Sequence, residues 1–152
     1  PTPSETELGD AVGRCSGLVQ LDLSGIYIGP AAAHVVGDHL GSCKRLSCLL
    51  MCVCFISTQE CERLAGGISQ CKALTRLDLS FNAIDTQGVK SLANALRGCT
   101  KLTDLDISFN EFGAEGAGEL ADALTSCTAL SRLNLAENYI GDEGAEQIAA
   151  KL

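Results

Sequence analysis

A leucine recurs at Leu18, Leu46, Leu74, Leu102 and Leu130, each 28 residues after the last, and a whole apolar pattern moves with it. Counted from each anchor, the first, fourth, sixth and eleventh positions are apolar, and in the last three units the ninth is Asn. Leu74, Leu77, Leu79, Asn82 and Ile84 follow this rule, as do Leu102, Leu105, Ile107, Asn110 and Phe112, and Leu130, Leu133, Leu135, Asn138 and Ile140. A fixed period of this size restricts the chain to one kind of architecture, in which like units stack and none can bury its apolar face without its neighbours. Length then only counts units. The register gives a partial unit at 1–17 and units at 18–45, 46–73, 74–101, 102–129 and 130–152, a single array spanning residues 1–152.

Each unit opens with about six residues of alternating polarity, such as Leu77-Asp78-Leu79-Ser80, the period of a half-buried strand. After the Asn comes a Gly- and Asp-rich turn. A helix follows, with one apolar face formed by Val89, Leu92, Ala93 and Leu96, repeated as Leu120, Ala121, Ala123 and Leu124. Helix starts are marked by Ser57 with Glu60 three residues on, by Asp85 ahead of Thr86, and by Pro30 in a first turn. Leu8, Gly9, Ala11 and Val12 fill the slots of Leu92, Ala93, Ala95 and Leu96, and Leu152 fills that of Leu124, so the chain opens and closes inside helices. An end layer of Leu130, Leu133, Leu135, Ile140 and Ile148 would leave an apolar patch in water. The expectation is a fragment of a longer array, or end-to-end self-association through uncapped ends.

The unit L-x-x-L-x-L-S-x-N-x-I, followed by a helix ending L-A-x-A-L, resembles the ribonuclease-inhibitor-like class of leucine-rich repeats over residues 8–152. Members of that class include ribonuclease inhibitor, the sensor regions of NOD-like receptors and the Ran GTPase-activating protein. The resemblance implies an α/β leucine-rich-repeat solenoid, a right-handed horseshoe arc with parallel strands on the concave face and helices on the convex face. Two units depart from the pattern. Ile26 and Cys54 stand where Asn is expected; Cys is an accepted alternative, whereas Ile26 leaves its turn without a side-chain hydrogen-bond partner. For the GTPase-activating member the resemblance would require a particular Arg and Asn near the start of a longer array, and neither can be placed here.

The charge balance points to the partner. A net charge of −8 opposes the phosphates of nucleic acid and an anionic membrane surface, and favours a protein partner with basic character. No run of 18 apolar residues occurs. Of nine cysteines, Cys15, Cys43, Cys71, Cys99 and Cys127 share the 28-residue spacing and read as a column of small inward fillers. Reduced thiols imply a cytoplasmic or nuclear location.

Outward strand positions supply the candidate binding surface. They are Gln20, Asp22 and Ser24; Cys48, Leu50 and Cys52; Arg76, Asp78 and Ser80; Asp104, Asp106 and Ser108; and Arg132, Asn134 and Ala136. The fifth slot forms a ladder of Asp22, Asp78, Asp106 and Asn134, broken by Leu50, which reads either as a seat for Lys or Arg or as a solvated face. Val53, Phe81 and Phe109 share the eighth slot, either as an apolar ridge on the rim or folded over the next turn as partial core. The chemistry of catalysis is not assembled. Cys48, Cys52, Cys54 and Cys61 lie on different sides of one unit and cannot converge on a metal. His34 and His39 share no helical face, and Gly113, Gly116 and Gly118 fall in the turn register with no Lys-Ser/Thr after them. No cofactor is implied. The reading is a noncatalytic scaffold that binds a protein through its concave strand face and apolar rim, with a GTPase-activating regulator of the Ran-activator type, or an architectural subunit, as alternatives.

Overall fold

The computed structural model describes residues 5–152, so the first four residues of the partial unit lie outside it. Helix and strand alternate throughout: α1 (Glu5–Arg14), β1 (Gln20–Asp22), α2 (Pro30–Leu40), β2 (Cys48–Leu50), α3 (Thr58–Ile68), β3 (Arg76–Asp78), α4 (Thr86–Leu96), β4 (Asp104–Asp106), α5 (Gly113–Leu124), β5 (Arg132–Asn134) and α6 (Gly141–Lys151). The strands form one parallel sheet in sequence order, each paired with its neighbour 28 residues away. This is an α/β repeat solenoid. Leu21, Leu49, Leu77, Leu105 and Leu133 lie in one cross-strand row, packed in or against a core that the helices close from the other side.

The strands are three residues long, not six, and in β3 and β4 a side-chain turn follows the strand directly. Asp78 Oδ1 accepts both the amide and the hydroxyl of Ser80, at 3.0 and 2.7 Å, and Asp106 holds Ser108 in the same way at 3.0 and 2.6 Å. Such a carboxylate turn competes with continued extension. Ser80 and Ser108 are therefore buried rather than displayed on the strand face, which corrects their assignment as outward positions.

Three further ladders tie each unit to the one before. Ser47, Thr75, Thr103 and Ser131 donate their hydroxyls to the carbonyls of Val19, Ser47, Thr75 and Thr103 at 2.9–3.2 Å. In the turns, Asn82, Asn110 and Asn138 donate Nδ2 to Met51, Leu79 and Ile107 carbonyls of the preceding unit at 2.8–3.0 Å. Cys54 substitutes for Asn by aiming its thiol at the Leu23 carbonyl, 3.1 Å away, so the first turn is served although Ile26 is exposed. The repeated cysteines form the last ladder. Cys43, Cys71, Cys99 and Cys127 point their thiols at the carbonyls of Val12, Leu40, Ile68 and Leu96, residues near the ends of the preceding helices. They are weak second donors to helix-end carbonyls that already accept the amide three residues on, as well as fillers. Cys15 is exposed, and among the described residues no helix lies over it as α1 lies over Cys43.

The helices pack closely where glycine allows. A Cβ on Gly37 of α2 would lie 2.5 Å from the Arg63 carbonyl oxygen, and one on Gly67 of α3 would overlap the Gly37 carbonyl. Gly116 and Gly118 do the same work inside α5, facing Val89 and Gln147, rather than sitting in a turn. The helix starts follow sequence: Asp85 accepts the Gly88 amide at 2.9 Å, Glu60 accepts the Ser57 amide at 3.0 Å, and Pro30 begins α2.

All nine cysteines are free thiols, and their burial predicts a staged reactivity. Burial pushes Cys54, Cys71 and Cys99 up to about 11 and Cys61 up to about 12, so almost no thiolate exists there at neutral pH. Against a thiol-specific disulfide reagent, exposed Cys15 should react first and half-buried Cys48 and Cys52 next. Cys43, Cys54, Cys61, Cys71, Cys99 and Cys127 should react only as the chain unfolds. Rapid labelling of Cys71 or Cys99 in the native protein would contradict the ladder.

Candidate protein-interaction surface

On the strand face the third slot runs Gln20, Cys48, Arg76, Asp104, Arg132 and the fifth runs Asp22, Leu50, Asp78, Asp106, Asn134. Sequence placed these side by side, and the sheet keeps that register. Their electrostatics is less simple than a row of free carboxylates. Arg132 Nε donates to Asp104, and this guanidinium, aided by the Thr103 hydroxyl, holds the Asp104 carboxyl below its ordinary value. Asp22 accepts the Ser24 amide at 3.0 Å, which lowers its carboxyl as well. Asp106 spends its second oxygen on Asn134 Nδ2 at 2.9 Å. The fifth-slot acids are thus first of all turn-formers. What faces solvent between β3 and β5 is a shallow depression lined by Arg76, Asp104, Asp106, Arg132 and Asn134, with charges of both signs. In β2 and just after it, Cys48, Leu50 and Cys52 are half-buried and interrupt this polar pattern; burial raises the Cys48 thiol.

The rim at the strand ends is the more unusual surface. The chain holds six aromatic residues, and five of them, Tyr27, Phe55, Phe81, Phe109 and Tyr139, are large exposed side chains on these turns; only Phe112 is in the core. Phe81 is 51% and Phe109 44% exposed, with Val53 beside them at 44%, so the ridge stands in solvent and does not fold over the turn. The two phenyl rings stack with centroids 4.1 Å apart and planes 9° from parallel. Tyr27 and Phe55 make a second, tilted pair at 6.1 Å.

Most of this exposed rim sits on left-handed backbone. Val53, Phe55, Phe81, Phe109 and Tyr139 all adopt φ between 55° and 59°, the left-handed region that disfavours side chains with a Cβ and is least suited to a β-branched one. The equivalent of Val53 in the first unit is Gly25, at φ 76°, which shows what the turn itself prefers. Tyr27, Phe55 and Tyr139 share the tenth slot and lie outside the leucine pattern; their spacing in multiples of 28 is the sequence signal that marks them.

The remaining candidates are dispersed. Cys54 is committed to the Leu23 carbonyl and Cys61 to the Gly88 carbonyl, while Cys48 and Cys52 lie on the strand face. His34 pairs with Asp38 at 3.7 Å and His39 with Asp10 at 3.8 Å, on separate surfaces. Among the described residues no three of His, Cys, Asp and Glu gather as metal ligands, and no helix is long and apolar enough to cross a membrane.

A family model of the leucine-rich repeat matches residues 70–93, 98–121 and 126–149. The chain is built of leucine-rich repeats. The matched repeats are those that carry Asn82, Asn110 and Asn138, whereas the first two units, with Ile26 and Cys54, fall outside them. No curated protein matches the chain by sequence. Among solved structures, the tropomodulin C-terminal domain of Caenorhabditis elegans superposes with a TM-score of 0.77 at 11% identity, over 99% of this chain and 92% of that one. The actin-binding site 2 of leiomodin-1 superposes with a TM-score of 0.75 at 16% identity, over 100% and 89%. At such identities the likeness is one of fold: these leucine-rich repeats make an arc of the same extent.

Proposed function

We propose that this leucine-rich-repeat array is a noncatalytic interaction module that binds another protein through the aromatic rim and the adjoining strand face. The observation that carries the reading is the left-handed, solvent-exposed setting of Phe55, Phe81, Phe109 and Tyr139. A bulky residue there costs about 1–2 kcal/mol relative to glycine, and its exposed ring returns little more than a ring–ring contact to the fold. Strain kept at a surface position is a mark of use. Aromatic side chains are also the type enriched in protein interfaces, where a rigid ring fills a pocket with little loss of conformational freedom.

The depression of Arg76, Asp104 and Arg132 supplies the polar half of such a contact, and the acids Glu111 and Glu137 on the same rim favour a partner with basic side chains. An interface of about 800 Å² on this side is within the reach of five units. The leiomodin-1 domain with this architecture is an actin-binding site, so the scaffold is suited to the use proposed. The test is affinity capture from native extract, with cosedimentation on filamentous actin as a defined arm. Phe81→Ser with Phe109→Ser should abolish retention of the partner while the circular dichroism spectrum stays unchanged. Retention of the same partner by the double variant would move the site elsewhere.

A further inference from the structure

The two edges of the solenoid carry opposite charge, and the edge away from the aromatic rim is the unassigned one. The five helix-to-strand connections, residues 15–19, 41–47, 69–75, 97–103 and 125–131, hold Lys44, Arg45, Lys72, Arg97 and Lys101 and not one Asp or Glu; Arg14, closing α1, adds a sixth cation. The chain has 19 acids to 11 bases, so an even distribution would have put carboxylates there in the majority. The opposite, strand-to-helix connections hold Asp85, Glu111 and Glu137 and no cation. The six cations are all exposed, and none takes part in a salt bridge among the described residues.

Helix dipoles explain part of this and leave the rest. The helices end on this edge, and a cation in or next to the last turn is favoured, which accounts for Arg14 and Arg97. The effect fades within that turn, whereas Lys44, Arg45, Lys72 and Lys101 lie four or five residues beyond their helices. Consecutive connections are bonded to one another, Thr75 to Ser47, Thr103 to Thr75 and Ser131 to Thr103, each amide to carbonyl at 2.8–2.9 Å. The cations therefore line up along the solenoid axis as one row.

We infer that this row is a second binding surface, for an extended acidic segment of another polypeptide. Units are spaced between about 4.8 Å at the strands and about 8–10 Å at the helices, and an extended chain presents every second side chain about 6.7 Å apart, so alternate Asp or Glu residues match the row. Among the described residues the connections expose one large apolar side chain, Val19, and no aromatic, so neither membrane insertion nor base stacking has its usual tools there. The rest of the molecule is acidic, which repels an anionic bilayer or a duplex extending past the edge more than a short peptide lying on the edge alone. The surface acts independently of the aromatic rim.

The test is fluorescence anisotropy with a peptide of alternating Glu and Ser, carrying a neutral dye, on the whole protein. Binding should weaken at least about tenfold between low and physiological salt. Lys44→Gln, Arg45→Gln and Lys72→Gln together should weaken it by a further factor of about ten, while the Phe81→Ser, Phe109→Ser variant binds as the parent does. Several results would overturn the inference: no binding, equal binding by the triple variant, or tighter binding of an oligothymidine or of phosphatidylserine vesicles at matched salt. So would salt-sensitive self-association in sedimentation that the triple variant abolishes, since the row would then face the acidic edge of a second copy.

Discussion

Asn110→Ala is expected to be among the most damaging single changes in this chain, although it alters no part of the proposed binding surface. Its side-chain amide donates to the carbonyls of Leu79, Ile107 and Ser108 at 3.0, 3.1 and 3.2 Å, and its oxygen accepts the Ile84 amide at 3.0 Å, all in a buried setting. Alanine leaves the Ile84 amide without a partner where water does not reach, at about 1–3 kcal/mol. It also removes one donor from each carbonyl, at about 0.5–1.5 kcal/mol for each hydrogen bond lost, although Asn82, Asn138 and the Phe81 amide still bond Leu79, Ile107 and Ser108. A total loss of about 3–5 kcal/mol follows, against about 5–15 kcal/mol for a whole domain. The site also links the third unit to the fourth, so the urea transition should broaden as the array loses nearest-neighbour coupling. Asn110→Cys should fall between the two, because Cys54 shows that a thiol can serve one of these carbonyls. A shift under about 1 kcal/mol for the alanine variant would mean that the ladder is not what joins the turns.

Phe112→Ala should cost a similar amount for a different reason, and it separates the two populations of aromatic residues. Phe112 is fully buried and occupies the eleventh slot, where Ile28, Ile56 and Ile84 sit in neighbouring units. Truncation removes a ring from a packed layer and leaves a cavity, worth about 3–5 kcal/mol. Phe81→Ser and Phe109→Ser, by contrast, remove rings that are half in water and already strained at the backbone. They give up a stacking contact of about 0.5–1.5 kcal/mol and little else. Thermal unfolding of the three variants is the comparison that decides: a large loss for Phe112→Ala with a small one for the rim pair is expected. A loss at the rim equal to that at Phe112 would show that the ridge serves the fold.

Phe112 was legible as core from its slot alone, while Phe81 and Phe109 were not legible as surface. Phe81 and Phe109 follow the buried Ser80 and Ser108 directly, and sequence left open whether their rings would fold inward. The left-handed turn decided it, and only Gly25 in the same slot hinted at that conformation. The cysteine column shows the same limit. Its burial followed from its period, but its role as donor to helix-end carbonyls depends on where the preceding helix stops.

Periodicity by itself determined the units, their order, the parallel sheet and the buried leucines, because a pattern repeated every 28 residues has one way to seal its apolar faces. Tertiary structure alone decided the direction of the rim aromatics and the partners of the asparagine and cysteine ladders. Those properties arise from backbone angles and from contacts between residues a full unit apart, which no local pattern of side chains encodes.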